Sequence, residues 1–178
     1  MQPQTTSIFY TSYYGSTQRY AEALAEQIGV TAVELPDPAT VTADGGPIVI
    51  LSPIHGPSHP GARFVKELGE EVVDKRKLCL ATVGMTLDEV AVEQDAARDL
   101  LGKRADRVAR FYLPGRLNYP ELTPSHRNVM RAMVTMLKLK PGKTANERMM
   151  IDSYGKDVDR VDLGRLDEIV EWLAESDG

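Results

Sequence analysis

The chain has 178 residues, 42% of them hydrophobic, and 21 Lys and Arg against 26 Asp and Glu give a formal net charge of −5. That length and apolar content suit one domain with one sizeable core. The charge is not gathered into a long block of either sign, which argues against a nucleic-acid binder or a charged disordered tail.

A lone cysteine excludes an internal disulfide, and Cys79 falls in the apolar run Leu78-Cys79-Leu80-Ala81, where a buried inert thiol in a reducing compartment is expected. The start Met1-Gln2-Pro3-Gln4-Thr5-Thr6 has neither the basic residues nor the apolar stretch of a secretory signal. No segment approaches the roughly 18 apolar residues of a spanning helix. The expectation is a cytoplasmic protein, with peripheral contact on the inner face of a membrane left open.

Short apolar runs alternate with segments of helical period. Ser7-Ile8-Phe9-Tyr10 predicts a first strand, and residues 16–28 place Tyr20, Leu24 and Ile28 on one face of a helix that Gly29 ends. A weaker strand is predicted over 31–35, and the turn Asp44-Gly45-Gly46 leads to a third over 47–51. Pro60 opens a helix whose inner face carries Phe64, Leu68 and Val72, followed by a strand over 77–83. Thr86-Leu87-Asp88-Glu89 has the spacing of a capping box and predicts a helix to Leu101. A fifth strand over 108–113 and a closing helix over 163–173, with Trp172 in the core, complete the pattern. Five strands with helical crossovers predict a doubly wound parallel sheet of order 2-1-3-4-5. Residues 114–157 are too long for a crossover and mark where this single domain specialises.

In such a sheet ligands bind beyond the carboxyl ends of the strands, where strand order reverses. Here that point lies between strands one and three. Strand one runs into Thr11-Ser12-Tyr13-Tyr14-Gly15-Ser16-Thr17 and then a helix. This loop offers four hydroxyls and the free amides of a helix amino end, which together solvate a phosphate without a lysine. Two accounts stand side by side: an anion cradle, or hydroxyls that merely cap the helix.

Ser12-Tyr13-Tyr14-Gly15-Ser16-Thr17 resembles the flavodoxin phosphate loop, Ser/Thr-x-Thr-Gly-x-Thr, with Tyr14 standing where Thr is usual. The chain is more similar still to the flavodoxin-domain branch that contains the menaquinone-dependent protoporphyrinogen oxidases. That branch shows Ser-Pro-Ile, a Gly and His-Pro after strand three, and Gly-x-Leu-x-Tyr after strand five. Here stand Ser52-Pro53-Ile54-His55-Gly56-Pro57-Ser58-His59-Pro60, one residue shorter, and Gly115-Arg116-Leu117-Asn118-Tyr119. The resemblance implies a flavodoxin-like fold holding FMN. Its phosphate would sit in residues 11–17, and its ring would be flanked by Ser52, Pro53, Ile54, His55 and Gly56 and by Thr82, Val83, Gly84 and Met85 of the loop that ends at Thr86. It further implies an oxidoreductase that passes electrons from a small-molecule substrate through the flavin to a quinone-type acceptor. An electron carrier that meets a redox partner protein, and a fold that has lost its cofactor, are the rivals.

Several lookalikes are weaker. His55 and His59 are four apart but bracket Gly56-Pro57-Ser58, so no metal site is expected, and solvent-facing or flavin-edge histidines are the plainer account. Gly56-Pro57-Ser58-His59-Pro60 lacks the second glycine of a hydrolase elbow. Pro141-Gly142-Lys143-Thr144 lacks the leading glycine and preceding strand of a nucleotide loop and reads as a turn. Tyr13, Tyr14 and Tyr119 are candidates to stack on a flat ligand or simply to pack. Within 123–140, Val129, Met130, Met133, Val134, Met136 and Leu137 recur at helical spacing beside His126, Arg127, Arg131, Lys138 and Lys140. Such a helix either packs on the sheet with a solvated basic side or, as the resemblance suggests, walls a substrate site or meets anionic lipid. His59, Tyr119, Arg127 and Arg131 are the substrate-side candidates.

Overall fold

The structure is a computed structural model that describes residues 5–175; residues 1–4 of the amino-terminal stretch read above lie outside the described residues. Its frame is five short apolar runs. β1 (Ser7–Tyr10), β2 (Ala32–Glu34), β3 (Ile48–Pro53), β4 (Leu78–Gly84) and β5 (Val108–Pro114) form one sheet in the order β2-β1-β3-β4-β5. Every neighbouring pair in it is parallel. This is the flavodoxin-like α/β arrangement, and strand order reverses between β1 and β3.

β3 and β4 are continuous apolar runs because both their faces are covered. Successive side chains alternate between the two sides. Val49, Leu51, Cys79, Ala81 and Val83 pack with residues of α1 (Ser16–Ile28) and α8 (Asp167–Ala174). Ile48, Ile50, Leu78 and Leu80 pack with α2 (Pro60–Glu67), α3 (Glu70–Lys75) and α5 (Ala96–Leu101). Cys79 is buried, which raises its thiol pKa well above the ordinary value. Trp172 is half-buried and packs against the first of these cores.

Two predicted helices are each broken. Leu68 and Gly69 are extended, so the helix from Pro60 ends at Glu67, and Arg104 donates to the freed carbonyls of Val65 and Leu68. The capping box at Thr86 does not form. Instead the Thr86 carbonyl accepts from the Tyr112 hydroxyl, and α4 (Asp88–Gln94) begins with no side-chain cap. Asp95 then takes a left-handed conformation, φ 40°, with its carboxylate on Arg110, and this separates α4 from α5.

After β5 the chain leaves the sheet. β6 (Arg116–Asn118) pairs antiparallel with β7 (Asp157–Asp159), enclosing α6 (Pro124–Leu139) and α7 (Ala145–Ser153). A capping box does occur here, at Thr144 and Glu147, where sequence predicts only a turn. The closing helix predicted over 163–173 opens with a 3-10 turn, Leu163–Leu166, before α8.

Candidate functional site

β1 ends against β3, where the Thr11 amide donates to the Leu51 carbonyl at 3.2 Å. The chain then turns through Gly15, whose φ of 91° favours a residue without a side chain, directly into α1. An α-helix leaves its first amides without intrahelical acceptors. In α1 the first such bond is Arg19 to Gly15, so the amides of Ser16, Thr17 and Gln18 precede it, and no side chain caps the helix. Of the four Ser and Thr hydroxyls in the loop only that of Ser12 is engaged among the described residues, accepting from the Gly15 amide at 3.0 Å. Thr17 is 1% exposed and its hydroxyl has no partner among the described residues. The capping account of these hydroxyls therefore does not describe α1. What remains is a turn of unpaired donors at the positive end of a helix dipole.

The loop after β3 is a tight hairpin in which His55 and Ser58 exchange backbone hydrogen bonds around Gly56, φ 58°. Ser52, Pro53, Thr82 and Val83 are buried at the strand ends, so Ile54, His55, Gly56 and Met85 are the predicted ring-flanking residues that reach the surface, while Gly84 is buried. Ser52 accepts from the Gly61 amide at 2.8 Å, and a Cβ on Gly61 would lie 2.5 Å from that of Ser52. This fixes α2 hard against β3. The loop after β4 is equally held: the Met85 carbonyl accepts from Arg160, and the Leu87 amide donates to Asn146. Gly84 is required there because a side chain would meet the Tyr112 hydroxyl at 2.8 Å.

His59 does not face solvent. It is 5% exposed and caps α2, its Nδ1 accepting from the Ala62 amide at 3.2 Å while Nε2 bonds Thr82 Oγ1 at 2.8 Å. Burial pushes its pKa down to about 4, so the neutral ring is a brace between α2 and β4.

Tyr119 is likewise buried, its hydroxyl donating to the Arg127 carbonyl and its ring edge-on to Tyr154 at 4.7 Å. Arg127 turns its guanidinium to the carbonyls of Pro120 and Leu122, and its Nε is buried without a partner, as is Asn118 Oδ1. Arg131 is exposed and acts on the Tyr154 hydroxyl, whose pKa is lowered first by Tyr119 and also by Arg131. The structure thus gathers Tyr119 with Arg127 and Arg131 of α6 into one cluster.

One residue that sequence reasoning placed only on the basic side of a helix reaches the loop itself. His126, in the first turn of α6, bonds the Tyr14 hydroxyl through Nδ1 and stacks on His55 with centroids 5.4 Å apart and planes 12° apart. Tyr13 stands edge-on to both imidazoles, at 5.1 and 6.3 Å. The contact joins residues 112 apart in the chain, and no local sequence signal reports it. A separate cavity of about 300 Å³ lies under α4 and α5, touching Ile54, Thr82, Thr86 and Tyr112 but none of residues 11–17.

A family model described as Flavodoxin domain matches residues 7–144. No curated protein matches the chain. Among solved structures, a protein provisionally named a flavoprotein from Bacteroides uniformis ATCC 8492 is 13% identical with a TM-score of 0.42, covering 73% of this chain and 99% of its own. A flavodoxin from the domain Archaea is 15% identical with a TM-score of 0.35, covering 83% of this chain and 94% of its own. Among the described residues no helix is long and apolar enough to cross a membrane.

Proposed function

The chain belongs to the flavodoxin-domain family, and from that premise we propose that it binds FMN by the phosphate in residues 11–17 and works as an FMN-dependent oxidoreductase. One observation carries the reading: α1 starts with three amides and the Thr17 hydroxyl unpaired, so the donor set fits a dianionic phosphate and nothing among the described residues satisfies it.

Bound FMN would supply the hydride or electron chemistry, while the protein supplies orientation and electrostatics. Ser16, Thr17 and the α1 amides hold the anion. The hairpin at Ile54, His55 and Gly56 and the loop at Gly84 and Met85 form the two lips beyond β3 and β4. His59 stays neutral and braces α2 to β4. Arg160 and Asn146 fix the backbone of the second lip, which keeps its geometry independent of the ligand.

The substrate reading follows the resemblance in residues 52–60 and 115–119: a reduced porphyrin gives electrons to the flavin and a quinone-type acceptor removes them. Anaerobic reduction by protoporphyrinogen followed by reoxidation with a menaquinone analogue tests it; bleaching of the flavin and its return are expected. If neither half-reaction runs while FMN binds, the electron-carrier reading replaces it.

The outer side of α6 favours one addition, contact with an anionic bilayer surface. Val129, Met136 and Leu139 form an apolar ridge, 62, 72 and 80% exposed. Between residues 122 and 148 stand six Lys and Arg against Glu147 alone, in a chain of net charge −5. Salt-sensitive flotation with anionic vesicles is the expected result, and equal recovery without vesicles contradicts it.

A further inference from the structure

We infer that His126 is a positioning residue of the cofactor site, and that through it helix α6 closes over the loop at 11–17 as a lid. This rests on the reading of that loop as a flavin cradle, and it brings into the site an element that the five-stranded fold does not need.

Three separate elements meet at this point. The loop after β1 contributes Tyr13 and Tyr14, the hairpin after β3 contributes His55, and α6 contributes His126. The Tyr14 hydroxyl bonds Nδ1 of His126 and also receives the Thr123 amide at 3.4 Å. Tyr14 stands edge-on to His55 at 6.2 Å and to His126 at 5.9 Å. Four rings therefore line the mouth at the point where strand order reverses, the place where a flat ring extending from the anion loop would lie. Tyr13 is left 49% exposed, an aromatic surface that packing within the chain does not use.

The rest of α6 cannot hold that position by burial. Of its sixteen residues only Val134 is buried. Its amino-terminal turn is fixed to the loops by the ring cluster, so the lid is as closed as that cluster is intact. His55, the partner of His126 in the stack, has its pKa lowered by burial and then by His126.

The test is the rate at which FMN leaves the loaded protein, followed as recovery of flavin fluorescence on dilution at pH 8. His126→Phe keeps a ring against His55 and removes the bond to Tyr14; Tyr14→Phe removes the same bond from the other side, together with the one from the Thr123 amide. Each is expected to release FMN about tenfold faster at pH 8, the scale of one lost hydrogen bond of roughly 1.4 kcal/mol. The double variant should be no faster than Tyr14→Phe alone, because that substitution already removes the bond to His126. Wild-type release rates in both single variants overturn the lid alone. Failure of the wild type to take up FMN overturns the lid together with the flavin reading. A melting curve for each variant separates release from unfolding.

Discussion

The sheet and the segment that follows it are built on different principles. All six residues of β3 and all seven of β4 are buried, and two apolar cores clasp them from both sides. α6 is longer than either strand and buries one residue. Its neighbours are held by polar and aromatic contacts such as Arg116 on Asp157, Tyr119 on Tyr154 and the capping box of α7. Stability resides in the sheet, whereas the segment supplies position. A chain divided in this way keeps the loop at residues 11–17 on the sheet and places beside it an element with little burial of its own.

The largest expected effect tests that division directly. Leu51→Ala opens a cavity between β3 and its cover and should cost about 2–5 kcal/mol in urea unfolding. Leu139→Ala should stay within roughly 0.5 kcal/mol. Similar losses at the two positions would erase the contrast.

A comparable effect comes from pH. The folded-state pKa of His59 lies near 4, below its ordinary 6.5, so its neutral form stabilises the fold fully above pH 6.5 and that contribution is lost as pH falls toward 4. About 3 kcal/mol should disappear across that window. His59→Gln should flatten the loss, and an unchanged slope would assign the acid sensitivity elsewhere.

Thr17→Val should weaken FMN binding by about 1–2 kcal/mol while leaving the melting temperature of the flavin-free protein in place. Unaltered affinity would move the phosphate to another loop. The smallest effect is Thr144→Ala, which removes one side of the capping box and should cost about 1 kcal/mol. It should appear as faster amide exchange in α7 with little change in global unfolding, and an equal drop in global stability would mean that sheet and segment unfold as one.

The same division explains what sequence made legible. β1, α1 and Gly29 lie where their apolar period and helix stop place them, because burial on one face writes itself into local spacing. The break at Asp95 was hidden, since it depends on Arg110, fifteen residues away. Thr86 showed a capping pattern that its backbone does not use, because Tyr112 and Asn146 claim that turn. β6 and β7 are three residues each with one apolar centre, too short to leave a period. Within the site, the turn through Gly15 into α1 could be read from the sequence of residues 11–17. His59 could not be placed from sequence: a His-Pro pair in a loop looks exposed, and only the packing of α2 on β4 turns it inward. His126 depends on a contact across 112 residues that no window contains.

The central claim is that residues 11–17 hold the phosphate of a flavin, and the most direct measurement compares FMN with riboflavin on the flavin-free protein by fluorescence quenching. The two ligands share the ring and differ in the phosphate alone. FMN should bind at least about 100-fold more tightly, roughly 2.7 kcal/mol, and about 1–2 kcal/mol of that margin should vanish in Thr17→Val. Equal affinity for the two flavins, or binding of neither, would contradict the account.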